Sequence, residues 1–222
     1  MSSPSLKSFA KLFTHGQGVN HFELNSLLAS GNLKVPKTTA IFNMGPASYC
    51  PAMALGLCKA YSPQGKHVCY ALKAERGHHP DVLPYRVKQL KFWKKCTAEE
   101  FASQFLIINS LKEKPYNALR FNESGDFHTQ KCIEKAEKIA CILARYGIKT
   151  YCYTHRSDLD YTNTRHLIVT GSNFMKEGIK NIFKIVENVK TDRPKGYMVC
   201  PGDCRICNKC MIRGNKIVVK RH

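Results

Sequence analysis

The fold is decided by residues 117–154, NALRFNESGDFHTQKCIEKAEKIACILARYGIKTYCYT. Residues 117–122 and 148–154 are short apolar runs rich in β-branched and aromatic residues, and each predicts a strand. The run between them predicts a long helix, and Gly147 stands where a left-handed residue ends such a helix. One apolar face of that helix holds Ile133, Ala136, Ala140 and Leu143. A strand, a helix and a second strand in this order predict a parallel βαβ unit.

The same alternation extends on both sides of this unit. Residues 38–44, TTAIFNM, predict a buried strand that Gly45-Pro46 ends. Residues 81–96 carry apolar side chains at helical spacing, and Thr97 with Glu100 predicts a capping box that starts another helix. Two further strands are predicted at residues 166–171, HLIVTG, and 195–200, KGYMVC. We therefore predict an α/β fold, a full or partial (β/α) barrel with parallel strands.

Length and composition indicate one globular domain. The chain has 222 residues, of which 43% are apolar, with only 14 glycines and 10 prolines. We assign residues 1–35 to an N-terminal segment that leads into the domain and residues 36–222 to an α/β metal-binding domain. No stretch approaches eighteen apolar residues and the first residues lack a secretory signal. These features predict a soluble intracellular protein without a membrane partner.

The charge of the chain predicts attraction to polyanions. The formal net charge is +19, and the basic residues are spread along the whole sequence. Such a potential attracts nucleic acid whatever the fold. Nucleic acid is therefore the partner class that the composition favours.

Polar residues recur where the predicted strands end. In parallel α/β folds the carboxyl ends of the strands converge and build the site. Arg120 on its strand either points toward an anion or pairs with Asp126, and Asp126 is either an acid, base or clamp or the cap of the following helix. His155, with Arg156, contacts a phosphate or a sulfonium group or belongs to a solvated loop. The candidate catalytic residues are Arg120, Asn122, Asp126 and His155.

The eleven cysteines favour metal chemistry over disulfides. An odd number in a reducing compartment does not form a disulfide framework. Four cysteines stand singly and are interpreted as small buried hydrophobes, namely Cys96, Cys132, Cys141 and Cys152. The other seven fall into two groups, Cys50, Cys58 and Cys69 after the first predicted strand and Cys200, Cys204, Cys207 and Cys210 near the carboxyl terminus.

The spacing in residues 200–210, CPGDCRICNKC, is denser than that of a zinc knuckle, which separates its cysteine pairs by a dozen residues or more. C-x2-C-x2-C is the run that wraps a 4Fe-4S cluster, with a remote cysteine, often before proline, as the fourth ligand. Cys50-Pro51 and Cys200-Pro201 both offer such a cysteine. Either one cluster takes Cys204, Cys207 and Cys210, or all seven cysteines serve two centres.

A third metal interpretation comes from Cys200 to Cys207, which spell the C-x3-C-x2-C of radical S-adenosylmethionine enzymes. In those enzymes three cysteines leave one iron open for the cofactor, but the motif follows the first strand. The position near the carboxyl terminus and the additional Cys210 weaken this interpretation. Zinc remains the alternative metal.

Several stretches taken together resemble the gene product 88 domain family of phages and large DNA viruses. They are NMGPASYCPAM, LCKAY, VCYALKAER, LRFNESGDF, YCYTHRSD and CPGDCRICNKC. The family often has CPGAT where this chain has Cys50-Pro51-Ala52-Met53. The resemblance implies a viral protein with cysteine-bound metal, in the cytoplasm of the infected cell or packaged in the virion, and it brings no established reaction. Its R-x-N-x-SGDF motif falls on Arg120, Asn122, Ser124, Gly125, Asp126 and Phe127.

Two functional hypotheses follow from these residues. The first is an iron-sulfur protein with one or two 4Fe-4S clusters and redox or radical chemistry at the carboxyl ends of the strands. The second is a zinc-stabilised basic module that binds nucleic acid. The sequence leaves open whether the chain is an enzyme.

Overall fold

The computed structural model describes residues 22–58, 69–77 and 79–220. Its centre is one eight-stranded sheet, which is antiparallel between the first two strands and parallel elsewhere. The strands are β1 (Ala29–Ser30), β2 (Thr39–Phe42), β3 (Ala118–Phe121), β4 (Lys149–Thr154), β5 (Ile168–Ser172), β6 (Asn181–Val186), β7 (Met198–Val199) and β8 (Lys216–Lys220).

The α-helices precede β4 in the chain. They are α1 (Pro51–Ala54), α2 (Tyr70–Arg76), α3 (Val82–Lys95), α4 (Ala98–Ser110) and α5 (Gln130–Ala144). The predicted capping box is confirmed, because the Thr97 side chain accepts from the Glu100 amide and the Glu100 carboxylate accepts from the Thr97 amide. The βαβ unit predicted for residues 117–154 is confirmed as β3, α5 and β4.

The sheet has the order β1-β2-β3-β4-β5-β6-β8-β7. The mixed α/β class and the parallel strands are therefore confirmed. β1 and β7 are the two edges, and in the described part of the chain no ladder joins them. The sheet is open at these edges, so the closed form of the predicted barrel is not observed.

One face of the sheet is covered by the helices. Phe42 of β2 lies at the centre of this core, with its ring 5.0 Å from that of Phe101 and 6.1 Å from that of Trp93. Right-handed crossovers between neighbouring parallel strands place successive helices on the same side of a sheet. The apolar face predicted for α5 packs into this core, since Ile133, Ala136, Ala140 and Leu143 all belong to it.

The opposite face of the sheet carries a different set of side chains. Ala118, Tyr151 and Ile168 form a small buried cluster there, and Tyr153 and Met211 pack against it. Since side chains alternate along a strand, Arg120 shares this face with Ala118. No α-helix of the described residues covers it; the segment that contains Met211 lies on it instead.

The later connections differ from the predicted alternation of strands and helices. Residues 155–167 and 173–180 join parallel strands without a helix. In the first of them Tyr161 is fully buried in the main core and its hydroxyl donates to the Arg156 carbonyl at 2.8 Å. Packing of this loop replaces the packing of a helix. β6 and β8 were not predicted, and the strand predicted at 195–200 shortens to β7.

The described part of the N-terminal segment joins the main domain. Leu24 and Leu27 are buried in the helix-side core, and Ala29 pairs with Ile41. Residues 1–21 of the predicted segment lie outside the described residues. Among the described helices, none has both the length and the apolar character needed to cross a membrane.

Candidate metal centre and the loops around it

Two loops at the carboxyl ends of β2 and β3 hold each other through side-chain amides. Asn43 Oδ1 accepts from the Ser124 amide at 2.8 Å, and Asn122 Oδ1 accepts from the Met44 amide at 3.2 Å. Asn43 Nδ2 also donates to Gln89 Oε1 at 3.1 Å, which ties the pair to α3. These reciprocal bonds fix the start of the segment that leads to Cys50.

Asn122 has a strained backbone and an unsatisfied amide. Its φ is +59°, in the left-handed region that few residues other than glycine occupy. Its Nδ2 is buried and has no hydrogen-bond partner in the described part of the chain. Strain and unsatisfied polar groups both cost free energy and concentrate at functional sites. Asn122 therefore stays among the candidate site residues with a donor still available.

Gly125 allows the same two loops to touch. Its φ is +70°, and a Cβ on it would lie 2.7 Å from the Gly45 carbonyl oxygen. Gly147, which ends α5 as predicted, has φ +73° but a Cβ there would meet no atom within 4 Å. The two glycines thus share a backbone conformation and differ in surroundings.

We expect Gly125→Ala to destabilise the protein clearly more than Gly147→Ala. The left-handed conformation alone costs a non-glycine residue about 1–2 kcal/mol, whereas Gly125→Ala must also push apart two backbones. Urea denaturation of both variants measures the difference. Equal losses of stability would show that the contact with Gly45 does not constrain the loops.

Asp126 is buried and its carboxylate is bound by the protein. Oδ1 accepts from the Phe127 amide at 2.8 Å and from Thr154 Oγ1 at 2.7 Å, and Oδ2 accepts from the His155 amide at 2.8 Å. Burial raises the pKa of Asp126 to about 6 against these hydrogen bonds. It neither caps α5, which begins after Thr129 without a side-chain cap, nor pairs with Arg120 among the described ion pairs. Asp126 ties the loop after β3 to the end of β4.

His155 and Arg156 take different roles. Arg156 is buried, its Nε and Nη2 donate to the two oxygens of Asp158 at 2.8 Å each, and Nη1 donates to the carbonyls of Phe127 and His128. The guanidinium is thereby used within the fold, so it is not a free phosphate contact. His155 is half-buried, and burial lowers its pKa. Its imidazole remains a candidate for the site.

The first cysteine group lies on the loops that follow β2. Cys50 precedes Pro51 at the start of α1, and Cys69 precedes α2. Burial, with smaller contributions from the nearby Cys50 and Cys69, raises the pKa of Cys58 to about 12. Burial likewise raises the pKa of Cys50 to about 11, with Asp126 as the next contribution. These three thiols and Asp126 are therefore near enough for their charges to influence one another.

Glu75 of α2, which sequence reasoning missed, holds the loop before Cys50. Its Oε1 accepts from the Ala47 amide at 2.6 Å and its Oε2 from the Ser48 amide at 2.9 Å. Arg86 of α3 donates to Oε1 at 2.8 Å, with the Glu75 side chain only 1% exposed and that of Arg86 8%. We call this arrangement of Glu75, Arg86 and the two amides the Glu75 clamp. Glu75 lies between Lys73 and Arg76 in the VCYALKAER stretch, and this local pattern does not predict a buried contact.

The second cysteine group lies in the connection between β7 and β8, on the sheet face without helices. The Cys204 amide donates to the Lys34 carbonyl at 2.8 Å, and the Gly202 amide donates to Cys200 Sγ at 3.4 Å. The pKa of Cys210 is raised to about 11, first by burial and then by the other three thiols, while a hydrogen bond from Tyr153 opposes the rise. The four thiols are thus close enough to influence one another.

Arg120 lies on the sheet face of the second cysteine group and next to Tyr153. Its guanidinium carbon is 5.2 Å from the centre of the Tyr153 ring, and its buried Nε has no acceptor in the described part of the chain. Burial raises the pKa of Cys204, and the charge of Arg120 opposes that rise. Arg120 is half-buried and belongs to none of the ion pairs among the described residues, so a negatively charged ligand beside it would be stabilised.

As the side chains stand, no group of three or more His, Cys, Asp and Glu in residues 22–58, 69–77 and 79–220 converges as one metal ion requires. A mononuclear zinc site would hold its ligand atoms about 2.3 Å from the ion. In a 4Fe-4S cluster each thiolate binds a different iron, so the thiols stand further apart. The thiols of each group are therefore near one another but do not form a preformed coordination shell for one ion.

Comparison with protein families gave one match. Residues 16–169 match the model of the family described as gene product 88. That range contains the first cysteine group and the loops from Arg120 to His155, and it ends before the second cysteine group. Comparisons with curated proteins and with solved structures gave no significant match. Since the family model covers more than half of the 222 residues, the chain belongs to the gene product 88 family.

Proposed function

We propose that this viral protein binds at least one 4Fe-4S cluster, with Cys200, Cys204, Cys207 and Cys210 as its ligands. The observation that supports the proposal is that these four thiols lie in one short connection, between β7 and β8, with Arg120 near enough to lower the pKa of Cys204. Their spacing contains the C-x2-C-x2-C run that wraps such a cluster. Cys200, which precedes Pro201, is the fourth ligand in this arrangement.

The surroundings of these thiols suit an anionic cluster. The Gly202 amide already donates to Cys200 Sγ at 3.4 Å, and hydrogen bonds to the sulfurs tune the potential of such centres. Arg120 supplies a positive charge near Cys204. When bound, the cluster supplies one-electron chemistry. The charge, the hydrogen bonds to sulfur and the exclusion of solvent that the protein supplies would set the reduction potential of the cluster.

Two of the four candidate catalytic residues keep polar groups free for a substrate. Arg120 Nε and Asn122 Nδ2 are both buried without a partner in the described part of the chain. Asp126 has its oxygens engaged and acts as a positioning residue. His155 follows β4, and its half-buried imidazole is the proposed group for proton transfer. In this proposal, redox or radical chemistry takes place at the carboxyl ends of β3 and β4, where these residues lie.

The first cysteine group is proposed as a second centre. It follows β2, the first parallel strand, and has the spacing C-x7-C-x10-C. The C-x3-C-x2-C spacing of radical S-adenosylmethionine enzymes occurs at Cys200 to Cys207 instead. The sequential order of β2 to β6 supports a partial (β/α) barrel as the frame for both centres.

The metal content tests the proposal directly. Protein expressed with iron and purified without oxygen should contain about four irons and four sulfides per chain, with broad visible absorption, and about eight of each if both groups hold clusters. Colourless protein with stoichiometric zinc would contradict it. For the radical version, addition of S-adenosylmethionine to the reduced protein should change its electron paramagnetic resonance spectrum, and an unchanged spectrum would count against that version.

A zinc-stabilised module that binds nucleic acid is the second candidate, and the net charge of +19 favours it. Its affinity for an oligonucleotide should fall steeply as salt rises, because neutralised phosphates release counterions. Binding that does not change between 50 mM and 200 mM salt, or no binding at all, would remove this candidate.

A further inference from the structure

A cavity at the amino ends of β4 and β5 lies at the edge of the sheet opposite the carboxyl-end loops. Its volume is about 290 Å³, near the lower limit of roughly 300–1,000 Å³ typical of small-molecule sites. The end of α5 forms one wall and the start of β5 another. Polar and charged side chains dominate the rest of its lining, namely Lys149, Thr150, Arg165, His166 and Arg213.

The charge of this lining is positive and unbalanced. No aspartate or glutamate lines the cavity. Of the ion pairs among the described residues, none includes Lys149, Arg165 or Arg213. The carboxylate of Glu137 is engaged by His166 Nδ1 at 2.9 Å and by the amides of His166 and Leu167. The three cations repel one another, and a bound anion would relieve that repulsion.

Thr150 adds an independent indication of a ligand. The residue is 2% exposed, it lines the cavity, and its Oγ1 has no hydrogen-bond partner in the described part of the chain. A buried hydroxyl without a partner costs free energy, so such groups usually meet a bound molecule or water. This hydroxyl lies among the same residues as the three cations.

We propose that the cavity binds the terminal phosphate group of a small molecule. A phosphate dianion is compact enough for the cavity, matches the forked donors of Arg165 and Arg213, and accepts from the Thr150 hydroxyl. No cysteine lines the cavity, although Arg213 follows Cys210 by three residues, and the proposal does not require a bound metal. Phosphate is thus the proposed ligand of Lys149, Arg165 and Arg213, which contribute three of the positive charges of the chain.

Thermal unfolding with the phosphate group alone tests the proposal. Inorganic phosphate and pyrophosphate should raise Tm in a saturable manner relative to chloride at the same ionic strength, because a ligand of the folded state stabilises it. A nucleoside monophosphate should act similarly. The proposal would be overturned if none of these three ligands raised Tm in a saturable manner. An oligonucleotide without a terminal phosphate that acts as strongly through the same cavity would overturn the choice of a terminal phosphate.

Three variants locate the binding. Arg165→Gln combined with Arg213→Gln should raise the Kd for phosphate at least about tenfold, whereas Arg193→Gln, an exposed arginine outside the cavity, should leave it unchanged. Thr150→Val should raise it about three- to tenfold without lowering Tm in the absence of phosphate, since no hydrogen bond is lost. The metal content of each variant, measured in parallel, should match that of the wild type. Unchanged phosphate binding in the double variant would place the ligand elsewhere.

Discussion

Replacement of Cys204 by serine is expected to reduce the bound iron from about four atoms per chain to less than one, or from about eight to about four if both cysteine groups hold clusters. Cys204 belongs to the group whose thiols influence one another, and its amide is fixed by the Lys34 carbonyl. A serine hydroxyl stays protonated at neutral pH and is a poor ligand for iron. Iron and sulfide content and visible absorption measure the loss.

Cys141→Ser is the matched control for this experiment. Cys141 is a half-buried single cysteine on α5, outside both groups. Its replacement should leave the iron content unchanged. Equal loss of iron in the two variants would indicate general destabilisation, and full iron content in Cys204→Ser would exclude Cys204 as a ligand.

Cys58→Ser separates one centre from two. Cys58 lies with Cys50 and Cys69 and is not among the thiols that affect Cys210. If the first group holds its own centre, iron falls from about eight to about four in this variant. If the second group alone binds a cluster, the iron content stays at the wild-type value.

The elements with a strong local pattern could be predicted from the sequence. α5 has a clear apolar face ended by Gly147, and α4 begins with a capping box, so both are encoded within a few turns. β6 could not be recognised in the same way, because Ile182, Ile185 and Val186 fit helical spacing as well as a strand. β8 has only three apolar residues between Lys216 and Lys220, and its pairing with β6 and β7 defines it as a strand.

The candidate site was predicted only in part, because its partners are distant in the sequence. The cysteine groups and Arg120 were visible from residue type and spacing. The engagement of Arg156 by Asp158 and two carbonyls depends on how the loop after β4 packs. The Glu75 clamp joins two helices to the loop before Cys50, and no local sequence pattern predicts such a contact.

Replacement of Glu75 by glutamine is expected to cost about 3–5 kcal/mol in the free energy of unfolding. Glutamine keeps the size of the side chain but leaves the guanidinium of Arg86 buried without a counter-charge. It also removes the acceptor of one of the Ala47 and Ser48 amides, because glutamine has one carbonyl oxygen and an NH2 group that can only donate. Chemical denaturation measures the loss. We expect the loop before Cys50 to lose its fixed geometry, so hydrogen exchange at Ala47 and Ser48 should accelerate more than in the α5 core.

Glu99→Gln is the matched control, because Glu99 pairs with Lys138 at the surface, where both side chains are more than half exposed. Exposed pairs contribute little to stability, so this variant should unfold like the wild type. A comparable loss in the two variants would contradict the role assigned to burial.

The pH dependence of the Glu75 clamp follows from the direction of its pKa shift. Burial raises the pKa of Glu75, but the hydrogen bonds from Arg86, Ser48 and Ala47 outweigh burial and hold it below its ordinary value of 4.5. A carboxyl group with a lowered pKa in the folded state stabilises the protein fully above its unfolded pKa, and the contribution disappears as the pH falls through the folded pKa. Wild-type stability should therefore decline below about pH 4.5 more steeply than that of Glu75→Gln. Since Arg86 stays charged throughout this range, parallel declines in the two proteins would mean that Glu75 does not carry the charge that holds the loop of Cys50.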